Sequence, residues 1–156
     1  MPCSRSAATR AALVAAARPL FAEHGFAGVG TETIVRAAGV TRGALYHQFA
    51  DKTELFAAVY EAIEEDLARR LGERVAAAAA TDPIEVMTLG ANAWLDACAE
   101  PEVQQIVLLD GPAVLGWQRW REIVCATGWA WSRACWPTRS RWGVSRSNRC
   151  PPWPMF

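Results

Sequence analysis

A chain of 156 residues, 52% of them apolar, can build one or two small domains with a core and is too apolar for a disordered polypeptide. Sixteen basic residues balance sixteen acidic ones, so the formal net charge of +0 gives no overall electrostatic pull towards nucleic acid. No apolar run approaches the roughly 20 residues that a membrane span needs, so no membrane association is expected.

Charge is nevertheless uneven. Over residues 1–52, Arg5, Arg10, Arg18, Arg36, Arg42 and Lys52 stand against Glu23, Glu32 and Asp51, a modest positive excess. Cys3, Cys98, Cys125, Cys135 and Cys150 include no C-x-x-C pair, and His24 lies far in sequence from His47, so no metal site or cofactor is expected. An odd cysteine count points to free thiols rather than a disulfide framework.

The first helical period runs from Ala7 to His24, with Leu13, Val14, Ala17, Leu20 and Phe21 on one side. Arg10 and Arg18 interrupt this Ala-rich stretch. It therefore reads as an amphipathic helix and not as the core of a signal peptide, and the cytoplasm is the expected location. Gly25 is a natural stop. A second short helix is capped by Gly30 or Thr31, buries Ile34, Val35 and Ala38, and ends at Gly39. Thr41 caps a third, Arg42 to Phe49, with Leu45 and Phe49 one turn apart. Two helices of about eight residues joined by a glycine-centred turn form a helix-turn-helix.

Thr53 is the expected cap of a long helix whose stripe is Leu55, Phe56, Val59, Tyr60, Ile63, Leu67 and Leu71. Asp82 and Pro83 open the next helix, which carries Val86, Met87, Leu89, Ala93, Trp94, Leu95 and Cys98. Pro101 opens another; Val103 and Ile106 to Leu109 make it nearly apolar all round and hence expected to be buried. Gly111 and Pro112 are expected to break it, and Trp117, Trp120 and Ile123 begin a further helix. From Val124 onward there are five arginines, five of the eight tryptophans, four prolines and no acid, with no sustained period.

Several segments carry a family resemblance. They are Leu20-Phe21-Ala22-Glu23-His24-Gly25-Phe26, the run from Ile34 through Gly39-Val40-Thr41-Arg42-Gly43-Ala44-Leu45-Tyr46-His47-Gln48-Phe49, then Lys52 and Leu55-Phe56. From about residue 9 to 71 the chain resembles the DNA-binding head of a TetR-type (TetR/AcrR) transcriptional regulator. Asp110 to Trp117 also resembles a segment from the ligand-binding body of such proteins. The resemblance implies an all-α fold: a three-helix helix-turn-helix head, then a helical ligand-binding and dimerisation body, here with an irregular or incomplete C-terminal part. The expected division is 1–52 for the head, 53–123 for a partial regulatory body and 124–156 for an atypical, poorly ordered tail. The implied function is a sequence-specific repressor, a homodimer on a double-stranded DNA operator, released by a small-molecule effector. A second reading is a helical protein-interaction module without DNA binding.

Within that frame, Arg42 sits where side chains meet base edges, and its guanidinium suits guanine O6 and N7. Gly43 and Ala44 are small enough to let the helix backbone approach a groove. Thr31, Thr41, Tyr46, His47 and Lys52 are candidate phosphate anchors, which set register without reading sequence. Met87, Trp94, Cys98, Leu108 and Trp117 are candidates for lining a ligand cavity, against the plainer reading of inter-helix packing. No nucleophile–base pair or phosphate-binding glycine loop appears, so no catalytic residue is assigned and an enzyme is not expected. Reading the gene one base out of register from codon 124, with GC-rich synonyms, converts the tail into an amphipathic helical sequence. A frameshift is therefore the expected origin of the tail. It would weaken dimerisation, while the tail arginines would add salt-sensitive attraction to DNA.

Overall fold

The computed structural model describes residues 3–135, with side-chain surroundings described from 6 to 126. Every element among the described residues is helical: α1 (Cys3–Gly28), α2 (Thr31–Ala38), α3 (Arg42–Gln48), α4 (Lys52–Ala77), α5 (Pro83–Cys98), a π-helix (Val103–Asp110) and α6 (Gly111–Cys135).

The ends of the first helices follow from local chemistry. Gly25 takes φ 69° and ψ 167°, a backbone that L side chains rarely adopt, so regular α1 stops at His24 and a turn carries the chain to α2. The Gly30 carbonyl accepts from the Thr33 and Ile34 amides at 3.1 and 3.3 Å; Thr31 is therefore the first residue of α2 and not its cap. At the far end Gly39 is left-handed, with φ 64°. Its N–H donates to Arg36 O and that of Val40 to Val35 O, the paired closure that uses up the last carbonyls of a helix. Thr41 caps α3, its Oγ1 accepting from the Ala44 amide at 3.2 Å. The cap of α4 is Asp51, whose Oδ1 accepts from the Glu54 amide at 2.8 Å, and not Thr53 as expected.

Leu13, Ala17, Phe21, Val29, Ile34, Leu45 and Phe49 meet in one dry core. Phe56 of α4 reaches into it, with its ring centroid 5.3 Å from both Phe21 and Phe26 in edge-on arrangements. The first turns of α4 therefore pack with the head as well as with the body. Further along α4, Tyr60, Ile63, Leu67 and Leu71 are buried against the body helices.

Three expectations fail in the body. Gly111 and Pro112 do not break the chain: α6 begins at Gly111, and the non-helical residue is Gly116, with φ 72°. The helix before it is a π-helix and is not buried all round, since Leu108 and Leu109 face outward. Helix α6 also runs past Ile123 to Cys135, so 124–135 are not irregular. Residues 136–156, with most of the tail on which the frameshift expectation rests, lie outside the described residues. Cys98 is a free thiol, and burial pushes its pKa up.

Candidate nucleic-acid interface

Helices α2 and α3 bury Ile34, Val35 and Leu45 and turn their other faces outward. Along α3 the exposed residues are Arg42, Gly43, Tyr46 and His47, with the capping Thr41 exposed just before them. Ala44 is half-buried. A helix of this kind offers a small, cationic, hydrogen-bonding strip on a rigid support. A Cβ on Gly43 would meet only Thr41 Oγ1, at 3.9 Å, so the surface beside Gly43 is open to an approaching groove wall.

Arg42 is not solitary. Its Nη1 donates to Glu32 Oε1 at 3.0 Å, and its guanidinium carbon lies 5.6 Å from the Tyr46 ring centroid. The neighbouring Tyr46 side chain and the Glu32 carboxylate raise the Arg42 pKa further above its already high value. Both partners of the Arg42–Glu32 pair are more than 60% exposed, at 63% and 62%, so solvent screens it and a phosphate or base edge can compete for the arginine. Tyr46, at 45% exposure, keeps its ring edge available. Thr41 accepts through its oxygen and retains its own O–H, so capping leaves it able to donate to a phosphate.

Lys52 is placed differently from a free phosphate anchor. Its Nζ donates to Phe26 O at 2.9 Å and Val29 O at 3.0 Å, and lies 4.0 Å from the Phe26 ring centroid. Two of its three donors hold the turn between α1 and α2. Thr31 is half-buried at the start of α2.

Glu32 is the neighbour of α3 that sequence reasoning missed. Helical spacing gives no hint that a residue ten positions before Arg42 sits beside it; only the angle between α2 and α3 decides that. Gln48, also not singled out, donates from Nε2 to Ser6 Oγ at 2.9 Å and ties α3 to α1. Arg10 covers the Phe49 ring at 4.4 Å from its centroid, so it serves packing.

The candidate ligand residues are not brought together. Met87 and Leu108 are exposed, and Trp94 and Cys98 are half-buried on α5. Only Trp117 lines the large surface groove between α4 and α6, of about 910 Å³, with Glu61, Glu65, Arg119, Glu122 and Ile123. The Arg119 charge is taken up by a forked pair with Glu54, so the groove wall is net acidic. Beneath it the Tyr60 hydroxyl, beside Glu64 and Trp120, is pushed well up in pKa by burial. Among the described residues no group of three His, Cys, Asp or Glu side chains could hold a metal, and no helix is long and apolar enough to cross a membrane.

Comparison with known proteins bears on the whole arrangement. The family pattern of bacterial regulatory proteins of the tetR family matches residues 13–59, and that of a tetracyclin repressor-like C-terminal domain matches residues 84–130. The second match runs seven residues beyond Ile123 (130 − 123). The repressor AcnR of Corynebacterium efficiens is 41% identical over 61 residues, 39% of this chain and 31% of that protein. The regulator AcrR of Shigella flexneri is 39% identical over 59 residues, 38% of this chain and 27% of that protein. The chain thus matches about a third of the length of these curated relatives. A crystal structure of a TetR-family transcriptional regulator from Pectobacterium atrosepticum superposes with a TM-score of 0.64 and 31% identity, over 85% of this chain and 83% of that one. With a helix-turn-helix head, a helical body and a relative of this identity over most of both chains, the protein belongs to the tetR family of bacterial regulatory proteins.

Proposed function

We propose that the chain is a sequence-specific DNA-binding transcriptional repressor whose reading helix is α3. The observation that carries this is the outward strip Thr41, Arg42, Gly43, Tyr46 and His47 on a helix capped at its start and anchored by Leu45 and Phe49. Arg42 is the base reader, exchanging Glu32 for guanine O6 and N7. Thr41, Tyr46 and His47 hold phosphates, with Thr31 and Lys52 backing them from the adjoining helix starts. Two heads in a homodimer would enter successive major grooves about 34 Å apart. A small-molecule effector would act through the body, and Trp117 in the α4–α6 groove is the candidate nearest to such a cavity. The cytoplasm is the location this reading requires.

A duplex selected by the intact chain from a random library supplies the probe. Arg42→Ala is expected to lower affinity for it about 10- to 100-fold and to relax the sequence preference at one base pair, as loss of a bidentate contact does. Tyr46→Phe is expected to weaken all duplexes alike. An intact chain that binds no duplex in a low-salt electrophoretic shift series would remove the repressor reading and favour the helical protein-interaction module.

A further inference from the structure

We infer that Asp110 is a positioning residue: it is the point at which the body grips the turn that aims the helix-turn-helix. The inference rests on the DNA-reading role of α3 only for its consequence, not for its geometry.

Gly25 ends α1, so the Phe26 amide begins a turn without a regular helical acceptor. That acceptor comes from 84 residues away: the Phe26 N–H donates to Asp110 Oδ2 at 2.7 Å, a short bond to a charged oxygen. The carbonyl of the same residue accepts from Lys52 Nζ at 2.9 Å. Phe26 is therefore held on its amide side by the body and on its carbonyl side by the first residue of α4. Its ring is packed against Phe21 and Phe56 and lies under the Lys52 ammonium. The next elements are Val29, which is buried, and α2. Whatever displaces this turn displaces the helix pair behind it.

Asp110 is itself fixed. Gln105 Nε2 donates to the same Oδ2 at 3.1 Å and stands 3.0 Å from where a Gly25 Cβ would be, so the π-helix closes directly on the glycine turn. Directly after Asp110, a Cβ on Gly111 would fall 2.5 Å from Tyr60 Cε2, and Tyr60 is fully buried. The backbone at Gly111 is thus flush against α4, and the Asp110 carboxylate beside it is held by its bonds to Phe26 N–H and Gln105. Other polar links between head and body act elsewhere. Arg18 forks onto Glu102 at 2.7 and 2.7 Å from the middle of α1, and Glu54 holds Arg119 from the first turn of α4. Among the described contacts, Asp110 is the body group that touches the α1–α2 turn by its backbone.

Hydrogen exchange by mass spectrometry on the full chain tests this without DNA. Asp110→Ala is expected to speed exchange at least 10-fold for amides from 26 to 48, leaving 60–71 in α4 unchanged. Asp110→Asn, whose amide oxygen can still accept from Phe26, is expected to restore most of that protection, and it serves as the readable variant if the alanine form does not fold. Lys52→Met should open the same segment from its other side. For DNA, Asp110→Ala should lower affinity for the duplex selected by the unaltered chain at least fivefold, with Asp110→Asn recovering most of it. Unchanged exchange over 26–48, or an equal rise throughout α4, would overturn the inference. A chain that selects no duplex would end the repressor reading, and the exchange result alone would then decide the role of Asp110.

Discussion

Residues 6–59 and residues 83–126 are both helical, but the first set buries its apolar faces against one another and the second leaves several of its own outside. In the head, four apolar faces meet around Phe21, and the helix ends carry residues suited to them: Gly25 and Gly39 stop α1 and α2, and Thr41 and Asp51 cap the starts of α3 and α4. In the body, Ile84, Met87 and Leu95 line the outside of α5, with Leu109 and Trp117 beyond them, all more than 60% exposed. Apolar side chains in that state contribute little to the stability of an isolated chain. The head is thus held by burial and capping together. The body is held chiefly along α4, through Tyr60, Ile63, Leu67, Ile106 and Ile123.

The contrast can be broken most forcefully at Phe21. Its ring is fully buried between Phe26 and Phe56, so Phe21→Ala should cost about 3–5 kcal/mol in chemical denaturation. A loss below about 1 kcal/mol would mean that the head core does not carry the stability assigned to it.

A smaller effect should come from the link between the two regions. The hydrogen bond from Arg119 holds the Glu54 carboxyl below its ordinary value of 4.5. A carboxyl with a depressed folded pKa adds stability that is present above the unfolded value and disappears as pH falls through the folded one. Glu54→Gln should therefore flatten the acid limb of the stability curve below about pH 4.5 and lower stability slightly at pH 7. Both side chains are more than a third exposed, at 38% and 39%, so the effect will be small and will shrink with salt. An acid limb identical in the two proteins would show the pair to be without weight.

The smallest effect is expected on the open face. Leu95→Gln should change the melting of dilute protein by less than about 0.5 kcal/mol, as surface substitutions usually do. A loss that grows with protein concentration would instead show that this face is covered by another copy.

The positions of the glycine turns, the Thr41 cap and the Asp82-Pro83 helix start were legible because each depends on atoms within one helical turn. The same local logic misjudged neighbouring candidates. Thr53 and Asp51 are both acceptable caps, and the choice fell on Asp51 because its side chain reaches the Glu54 amide. Pro112 reads as a breaker, yet the chain passes from the π-helix into α6 through Gly111 in helical geometry, and the non-helical residue is Gly116. The continuous apolar run before it suggested full burial, but α5 and α6 leave Leu108 and Leu109 without a covering neighbour.

Caps, stops and apolar periods are interactions between residues no more than about four apart, and composition along the chain is enough to place them. They sufficed for an all-helical chain, a helix-turn-helix and the identity of its outward strip. Partnership across the fold is another matter. Lys52 reads as a surface cation until Phe26 O, 26 residues back, is found beneath it. Glu32 reads as a helix-start acid until α3 brings Arg42 alongside. Asp110 reads as a residue before a turn until the head places Phe26 N–H 2.7 Å away. Those roles depend on which unpaired backbone groups and charges the packing of helices leaves within bonding distance, and no local pattern encodes that.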